Sequence, residues 1–367
     1  VEEQQTQKQI SFGVVRIANI DPCIQLTRFL LNAEFPANTV VKVMAYHSRQ
    51  VMVMRNAQEE HLDVLLKRNA DDEQAIFKNK IIQSHIDKTE AKNIIFILVA
   101  TPVEEVGRDH DLDWAVIEPS SLRSIIQLSG RVLRHRKAKK LNAANIAILQ
   151  YNLKGLQQKC SDSEKNNPVF LQPGYESYDN KLHNHDINNL INTDLFSRRL
   201  DASFRIKKSE QLAPMKNLAD LEHYVTHLYL TNYDHAGPET MQGWLANYWW
   251  LTGLPQFFVR FRRSSQQVVL YLMPDEDKDW VFKERNDAKE LVKIENRYDL
   301  THENNLTDDE LNNLWLLRDY QTLLENTKQK HIALAASIFG EININTYGKE
   351  LSEYQFNYVE QLGLEKD

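Results

Sequence analysis

The chain has 367 residues, 42% of them hydrophobic and 26% charged, which is enough to bury two ordinary globular cores and excludes a disordered protein. Its 44 Lys and Arg against 51 Asp and Glu leave a net charge of -7, so the molecule as a whole repels phosphate, and any nucleic-acid surface has to be a local patch. Cys23 and Cys160 stand apart with no C-x-x-C pair, which excludes a disulfide framework or zinc knuckle and fits a reducing, cytoplasmic setting.

The polar start VEEQQTQKQI carries neither Met nor an apolar signal core and reads as the start of a piece of something longer. No run approaches the roughly 18 apolar residues of a membrane span, so no membrane partner is expected. From there, VVRIANI (Val14 to Ile20), VVKVMAY (Val40 to Tyr46), IIFILVAT (Ile94 to Thr101), WAVIE (Trp114 to Glu118) and NIAILQY (Asn145 to Tyr151) read as strands. CIQLTRFLLNAEF, DEQAIFKNKIIQSHIDKTEAK and SLRSIIQLSGRVLRHR between them space apolar residues as helices do. Strands apolar throughout and separated by helices imply an α/β domain, a parallel sheet covered on both faces, over residues 1–151. Residues 152–208, rich in Asn, Asp, Lys and Ser, read as a connector. In residues 209–367, LADLEHYVTHLYL, ETMQGWLANYWWL and DELNNLWLLRDYQTLLENT read as helices, and VVLYLMP and WVFKE as strands, of a smaller α+β domain.

Three motifs sit at carboxyl ends of the predicted strands, where open parallel sheets place their ligands. They are His47-Ser48-Arg49, then TPVEEVGRDHDLDW from Thr101 to Trp114, then PSSLRSIIQLSGRVLRHR after WAVIE. The last resembles the Q-x-x-G-R-x-x-R of motif VI in the second RecA-like domain of superfamily 2 helicases. The middle one resembles motif V, and His47-Ser48-Arg49 stands where motif IV would. The whole text TPVEEVGRDHDLDWAVIEPSSLRSIIQLSGRVLRHR is similar to the helicase-nucleases of type I CRISPR interference, most of all their type I-F branch.

That resemblance implies a RecA-like motor domain and a C-terminal domain of an ATP-dependent, single-stranded DNA translocase, coupled in the longer protein to an HD nuclease. Chemistry supports the same roles, because a permanently charged, planar guanidinium neutralises charge that develops on a transferring phosphoryl group. Arg131 and Arg134, three apart, are expected on one helical face as an arginine-finger pair, with Gln127 one turn earlier to contact nucleotide or water. Gly130 permits close backbone approach. Gly107 and Asp109 match the motif V Gly and Asp near the ribose. Thr101, through its hydroxyl and backbone N-H, and Ser48 are candidate contacts to the DNA backbone, with Arg49 and Arg108 adding charge. Arg136, Lys137, Lys139 and Lys140 extend the basic patch and read as ordinary surface charge.

No G-x-x-x-x-G-K-[ST] occurs, so ATP and Mg2+ would be shared with a first RecA-like domain outside these residues, and the chain alone should hydrolyse ATP poorly or not at all. A divalent metal would belong to the nuclease domain, and no metal site is expected here. The resemblance implies as partners single-stranded DNA, the N-terminal HD and first RecA-like domains and an RNA-guided surveillance complex, with an integrase protein and phage-encoded inhibitors as further candidates. Other superfamily 2 helicases, or a protein-interaction module, remain open as readings of the residues.

Four further stretches carry blander readings. VVLYLMPDEDKD imitates a Walker B strand but reads as an edge strand with a polar loop, given Pro274. His223 and His227 read as a helix face and His183 to Asp186 as a loop. Trp244, Tyr248, Trp249 and Trp250 read as core, and PQFFVRFRRS (Pro255 to Ser264) as a candidate strand contact.

Overall fold

The computed structural model describes every residue except 5, 69–71, 73, 106, 137–140, 142, 162–166, 172–173, 199, 232–235, 239, 259–266, 278, 295–298, 304, 346–354 and 367. Lys137, Lys139, Lys140 and most of PQFFVRFRRS therefore lie outside the described residues. The chain divides into two compact units. One comprises Val1–Ile117, Gly130–Ala147 and Gln266–Asp367; the other comprises Glu118–Ser129 and Ile148–Ser265.

The first unit is built on strands β1 (Gln9–Arg16), β2 (Thr39–Tyr46), β3 (Asn93–Ala100), β4 (Trp114–Ile117) and β5 (Ile146–Ile148), in the order β2-β3-β1-β4-β5. β1 pairs in parallel with β3 and β4, and β2 in parallel with β3. Helices α1 (Ile20–Leu31), α2 (Met52–Leu66) and α3 (Lys80–Asp87) connect them. α1 buries Cys23, Ile24 and Leu31 against Val41, Val43, Ala45, Ile97 and Val99 on one sheet face. On the other, the Phe12 and Phe96 rings stack with centroids 4.9 Å apart. Trp315 lies 5.5 and 5.2 Å from those two rings, and His85 of α3 lies 5.5 Å from Phe96.

α2 carries no clean apolar stripe in the sequence. Its seam runs Met54, Gln58, Leu62, Leu65 and Leu66, and the polar member is satisfied because Gln58 Nε2 donates to Ala45 O at 2.7 Å.

Residues 267–366 belong to the same compact unit as the parallel sheet. β6 (Gln267–Pro274), β7 (Trp280–Arg285), β8 (Leu291–Lys293), β9 (Asp299–His302), β10 (Glu341–Asn345), β11 (Gln355–Val359) and β12 (Gly363–Lys366) make two small sheets, β10-β6-β7-β8 and β12-β11-β9. Leu314, Val359 and Leu362 share the core of α1 and β2, while Val51 and Met54 share that of β6 and β10. β6 thus lies inside its sheet, not at an edge, and Pro274 is accommodated as its last residue.

The single helix expected over DELNNLWLLRDYQTLLENT is two, Asp308–Asn313 and Tyr320–Glu325. Between them the chain extends along β2: Trp315 N donates to Val43 O at 2.9 Å and Leu314 bridges Val43 in parallel. Successive residues point to opposite faces in that conformation, so Leu314 joins the α1 core and Trp315 the Phe12–Phe96 cluster.

In the second unit helix α4 (Leu122–Ser129) begins with its Leu122 and Arg123 N-H groups held by Glu222 Oε1 of helix Leu218–Thr231, at 2.6 and 3.2 Å. His185 binds Glu176 at 2.9 Å, and Asp186 caps a short helix, so His183 to Asp186 is structural. His223 is half-buried and His227 exposed on Leu218–Thr231. Among the described residues no group of His, Cys, Asp and Glu could hold a metal ion. The Trp244–Trp250 stretch is not core, since Trp244, Tyr248 and Trp250 are 42%, 64% and 49% exposed. Their spacing suggested burial, but nothing in their own unit covers them among the described residues. No helix among those residues is long and apolar enough to cross a membrane.

Candidate nucleotide and strand-contact site

β2 and β3 both run into loops at their carboxyl ends, and those loops carry most of the motif residues. After β3, Thr101 opens a short 3-10 turn, Pro102–Glu104. Its N-H donates to Tyr46 O at 3.0 Å and the residue is 4% exposed. The expected phosphate contact through that N-H is therefore ruled out by the sheet hydrogen bond, leaving the hydroxyl.

Beyond the turn lies a carboxylate–imidazole–carboxylate chain, buried at Glu104 and His110 and exposed at Asp63, that the sequence reading passed over. Glu104, fully buried, binds His110 Nδ1 through Oε1 at 2.7 Å, and His110 Nε2 reaches Asp63 of α2 at 3.0 Å. Burial works against a charged His110, but the hydrogen bonds and charges of Glu104 and Asp63 outweigh it and hold the imidazole above its ordinary pKa. A carboxylate on each ring nitrogen suits the imidazolium, which has two N-H donors. Glu105 in turn pairs with the fully buried Arg16 at 2.8 Å. Gly107 follows with φ +74°, a conformation that suits glycine. Arg108 pairs with Glu59 at 2.6 Å and lies over the Tyr46 ring.

The arginine motif takes a form its spacing did not suggest. α4 ends at Ser129, so Arg131 and Arg134 do not share a helical face with Gln127 or with each other. The residues after Gly130 leave the helix to pair with Leu112: Leu112 N donates to Arg131 O at 2.8 Å and Leu133 N to Leu112 O at 2.9 Å. Leu133 turns the chain at φ +52°. The next N-H groups, of Arg134 and His135, both donate to the Asp111 carboxylate at 3.1 Å. Two strand-like pairings and a carboxylate cradle thus compete successfully with helix continuation at a glycine, the residue that continues a helix least readily after proline.

Arg131 is 7% exposed; Nη2 donates to Glu105 O at 3.1 Å, and Nε has no hydrogen-bond partner among the described residues. Burial and the neighbouring Arg134 charge lower its pKa from the ordinary arginine value. Arg134 is exposed and pairs through Nε with Asp109 at 2.8 Å, while His135 Nε2 meets the same oxygen at 3.0 Å. Gly130 is exposed. Gln127 is an exposed residue of α4 in the second unit. The structure therefore brings Arg131, Arg134, Asp109 and the Glu104–Glu105 turn together within the first unit.

Arg136 is not ordinary surface charge. Its side chain is 9% exposed and binds Asp111 at 2.7 Å, Asp113 at 2.5 Å and Leu112 O at 2.9 Å. Arg68 also pairs with Asp113, at 2.7 Å. Burial opposes the Asp113 charge, but Arg68 and Arg136 hold its pKa down to about 2. The run of acids in RDHDLD was the signal that these cations had internal partners.

After β2, His47 is fully buried, Ser48 exposed and Arg49 half-buried. Arg49 pairs with Asp21 at 2.5 Å. Burial pushes the His47 pKa down to about 3, so its neutral ring donates from Nε2 to Leu362 O at 2.7 Å.

Residues 9–137, which contain all of these motif positions, match the family model described as CRISPR-associated nuclease/helicase Cas3, C-terminal. The chain is also 38% identical over 275 residues to the CRISPR-associated nuclease/helicase Cas3 subtype I-F/YPEST of Pseudomonas aeruginosa, covering 74% of this chain and 24% of that protein. The chain belongs to the Cas3 nuclease/helicase family. A second Cas3 of the same subtype, from Pectobacterium atrosepticum, is 34% identical over 295 residues, 78% of this chain and 26% of its own length. The chain thus spans about a quarter of the length of these Cas3 relatives. A solved structure described as a CRISPR-associated protein aligns over 98% of this chain and 38% of its own, with 11% identity and a TM-score of 0.41.

Proposed function

We propose that this chain supplies the second motor half of an ATP-dependent translocase acting on single-stranded DNA, coupled in the full-length Cas3 protein to an HD nuclease that degrades invader DNA. The observation that carries the reading is Arg131, a buried guanidinium whose Nε has no partner among the described residues, beside the exposed Arg134. A cation held dry and incompletely paired is well suited to charge that appears only during a reaction, because low dielectric strengthens it and it needs no reorganisation.

The residues present fit one wall of an ATP site, and the Mg2+ that accompanies the nucleotide would be held by the first RecA-like domain. ATP brings the γ-phosphoryl group whose transfer to water develops negative charge. Arg131 and Arg134 neutralise it, and Gln127 orients nucleotide or water. No phosphate-cradling glycine loop occurs in the sequence, so the chain needs a first RecA-like domain to hold the β and γ phosphates. Thr101 Oγ1, Ser48, Arg49 and Arg108 contact the DNA backbone in this reading, and Gly107 and Asp109 line the nucleotide side. The division of residues 1–151, 152–208 and 209–367 into motor, connector and accessory parts remains a functional proposal; the setting is cytoplasmic, with an RNA-guided surveillance complex, an integrase protein and phage-encoded inhibitors as partners.

Arg131→Ala and Arg134→Ala in the full-length protein test the reading. Each is expected to lower DNA-stimulated ATPase by about a thousandfold, the scale of arginine-finger losses; intact ATPase in both would sink it. A second reading, docking of a protein partner such as the surveillance complex by the second unit, is favoured by its exposed Trp244, Tyr248, Trp250 and Phe257, the last 79% exposed. Trp244→Ser with Phe257→Ser would then abolish co-purification with that complex while leaving ATPase intact.

A further inference from the structure

The Ser48–Arg49 loop is held from beneath by the far end of the chain. His47 Nε2 donates to Leu362 O at 2.7 Å, and Leu364 N donates to Arg49 O at 2.8 Å. Between those two bonds stands Gly363, at φ +86°. A Cβ there would lie 2.4 Å from Arg49 O, 2.7 Å from His47 Cε1 and 2.8 Å from Gln50 Cγ. Only a residue without a side chain lets the two backbones meet at this distance.

A second tie runs through Arg318, 5% exposed and salt-bridged to no carboxylate among the described residues. Its Nη1 donates to Gln50 Oε1 at 3.1 Å, Met54 O at 3.0 Å and Gln58 Oε1 at 3.0 Å. Its Nη2 donates to Gln361 O at 2.8 Å. Gln361 answers twice, its Oε1 accepting from Arg318 N at 3.1 Å and its Nε2 donating to Arg318 O at 2.6 Å. Such a cation fixes many acceptors at once, and burial lowers its pKa to about 10 although the Glu360 charge acts the other way. It joins the start of α2, the Gln50 end of the loop and the β11–β12 turn into one hydrogen-bonded body. Arg28 of α1 grips the Glu365 carboxylate of β12 with Nη2 at 2.8 Å and Nε at 3.0 Å. Ser48 is exposed.

We propose that the β11–β12 hairpin, through Gly363, Gln361 and Arg318, is a positioning element for the Ser48–Arg49 loop and sets the affinity of the motor for the backbone of single-stranded DNA. The proposal rests on the reading of Ser48 and Arg49 as strand contacts. A contact made by a loop locked in advance avoids the ordering cost that a free loop would have to meet on binding. Gly363, Gln361 and Arg318 touch neither nucleotide nor DNA and act through the loop alone.

The test uses the full-length protein, fluorescein-labelled oligo(dT) and DNA-stimulated ATPase. Gly363→Ala and Gln361→Ala are each expected to raise the oligo(dT) concentration at half-saturation about tenfold, the scale of one phosphate contact, with a smaller change in kcat at saturating DNA. Gly363→Ala combined with Ser48→Ala should weaken binding by less than the sum of the two single losses, because both act through the same loop. Should Gly363→Ala fail to fold, Gln361→Ala decides alone. Half-saturation unchanged in the hairpin variants while Ser48→Ala or Arg49→Ala weakens it overturns the positioning role. If neither Ser48→Ala nor Arg49→Ala changes half-saturation, the strand-contact reading itself fails and the positioning role with it.

Discussion

Arg134 and Asp109 form an ion pair of 2.8 Å in which both side chains are substantially exposed, at 39% and 50%. Asp109 also accepts from His135. An exposed pair of this kind adds little to stability but restrains a long side chain. Asp109→Asn is expected to leave the thermal midpoint unchanged while altering DNA-stimulated ATPase of the full-length protein. An equal loss in both measurements would assign Asp109 to the fold instead.

The Arg136 guanidinium sits against Asp111, which is fully buried, and Asp113. Removing it leaves the buried Asp111 carboxylate without its cation, held among the described residues only by the Arg134 and His135 N-H groups, and breaking a buried pair from one side costs about 3 to 5 kcal/mol. Arg136→Ala should therefore lower the urea midpoint sharply. A loss below about 1 kcal/mol, the surface-pair range, would show that water replaces the guanidinium.

Two histidines make stability depend on pH from opposite sides. The His47 pKa lies near 3 when folded against an ordinary value of 6.5, so its contribution is lost as pH falls below 6.5, by about 1.4 kcal/mol per pH unit at most. His110 is raised, so its contribution is whole below 6.5 and is lost as pH rises through its folded pKa. Melting followed against pH should peak near 6.5 as far as these groups control it. His47→Gln should flatten the acid limb, which buried His61 and His85 also steepen because burial lowers both of them, and His110→Gln the alkaline limb. Identical pH profiles for wild type and both variants would remove them as the cause.

Trp315 is fully buried between Phe12, Phe96 and His61. Trp315→Ala is expected to cost about 3 to 5 kcal/mol, as truncating a large core aromatic does. Denaturant unfolding reads this directly.

The parallel sheet was legible because its strands are buried on both faces and so are apolar almost without interruption, as in IIFILVA of β3. The motif residues were legible as text, and their placement after β2 and β3 followed from topology. The end of α4 was not. QLSGRVLRHR has helical spacing, and what stops the helix is an acceptor supplied from Asp111 and Leu112, upstream of the helix and in another loop. α2 escaped notice because Gln58 stands in its buried seam, and whether a buried glutamine is tolerated depends on a carbonyl contributed by β2. The same holds for Arg136, whose partners decide its role, and for Trp244 and Trp250, whose exposure no local pattern predicts.

The pairing of Leu314 and Trp315 with Val43 of β2 also covers part of the outer margin of the parallel sheet. Uncovered margins invite other chains to add strands, and here the cover comes from residues some 270 positions later. A shortened protein that keeps the five-stranded sheet but stops before Leu314 would present β2 bare. Its failure would take the form of self-association, and its solubility would report the missing segment before any assay of catalysis could.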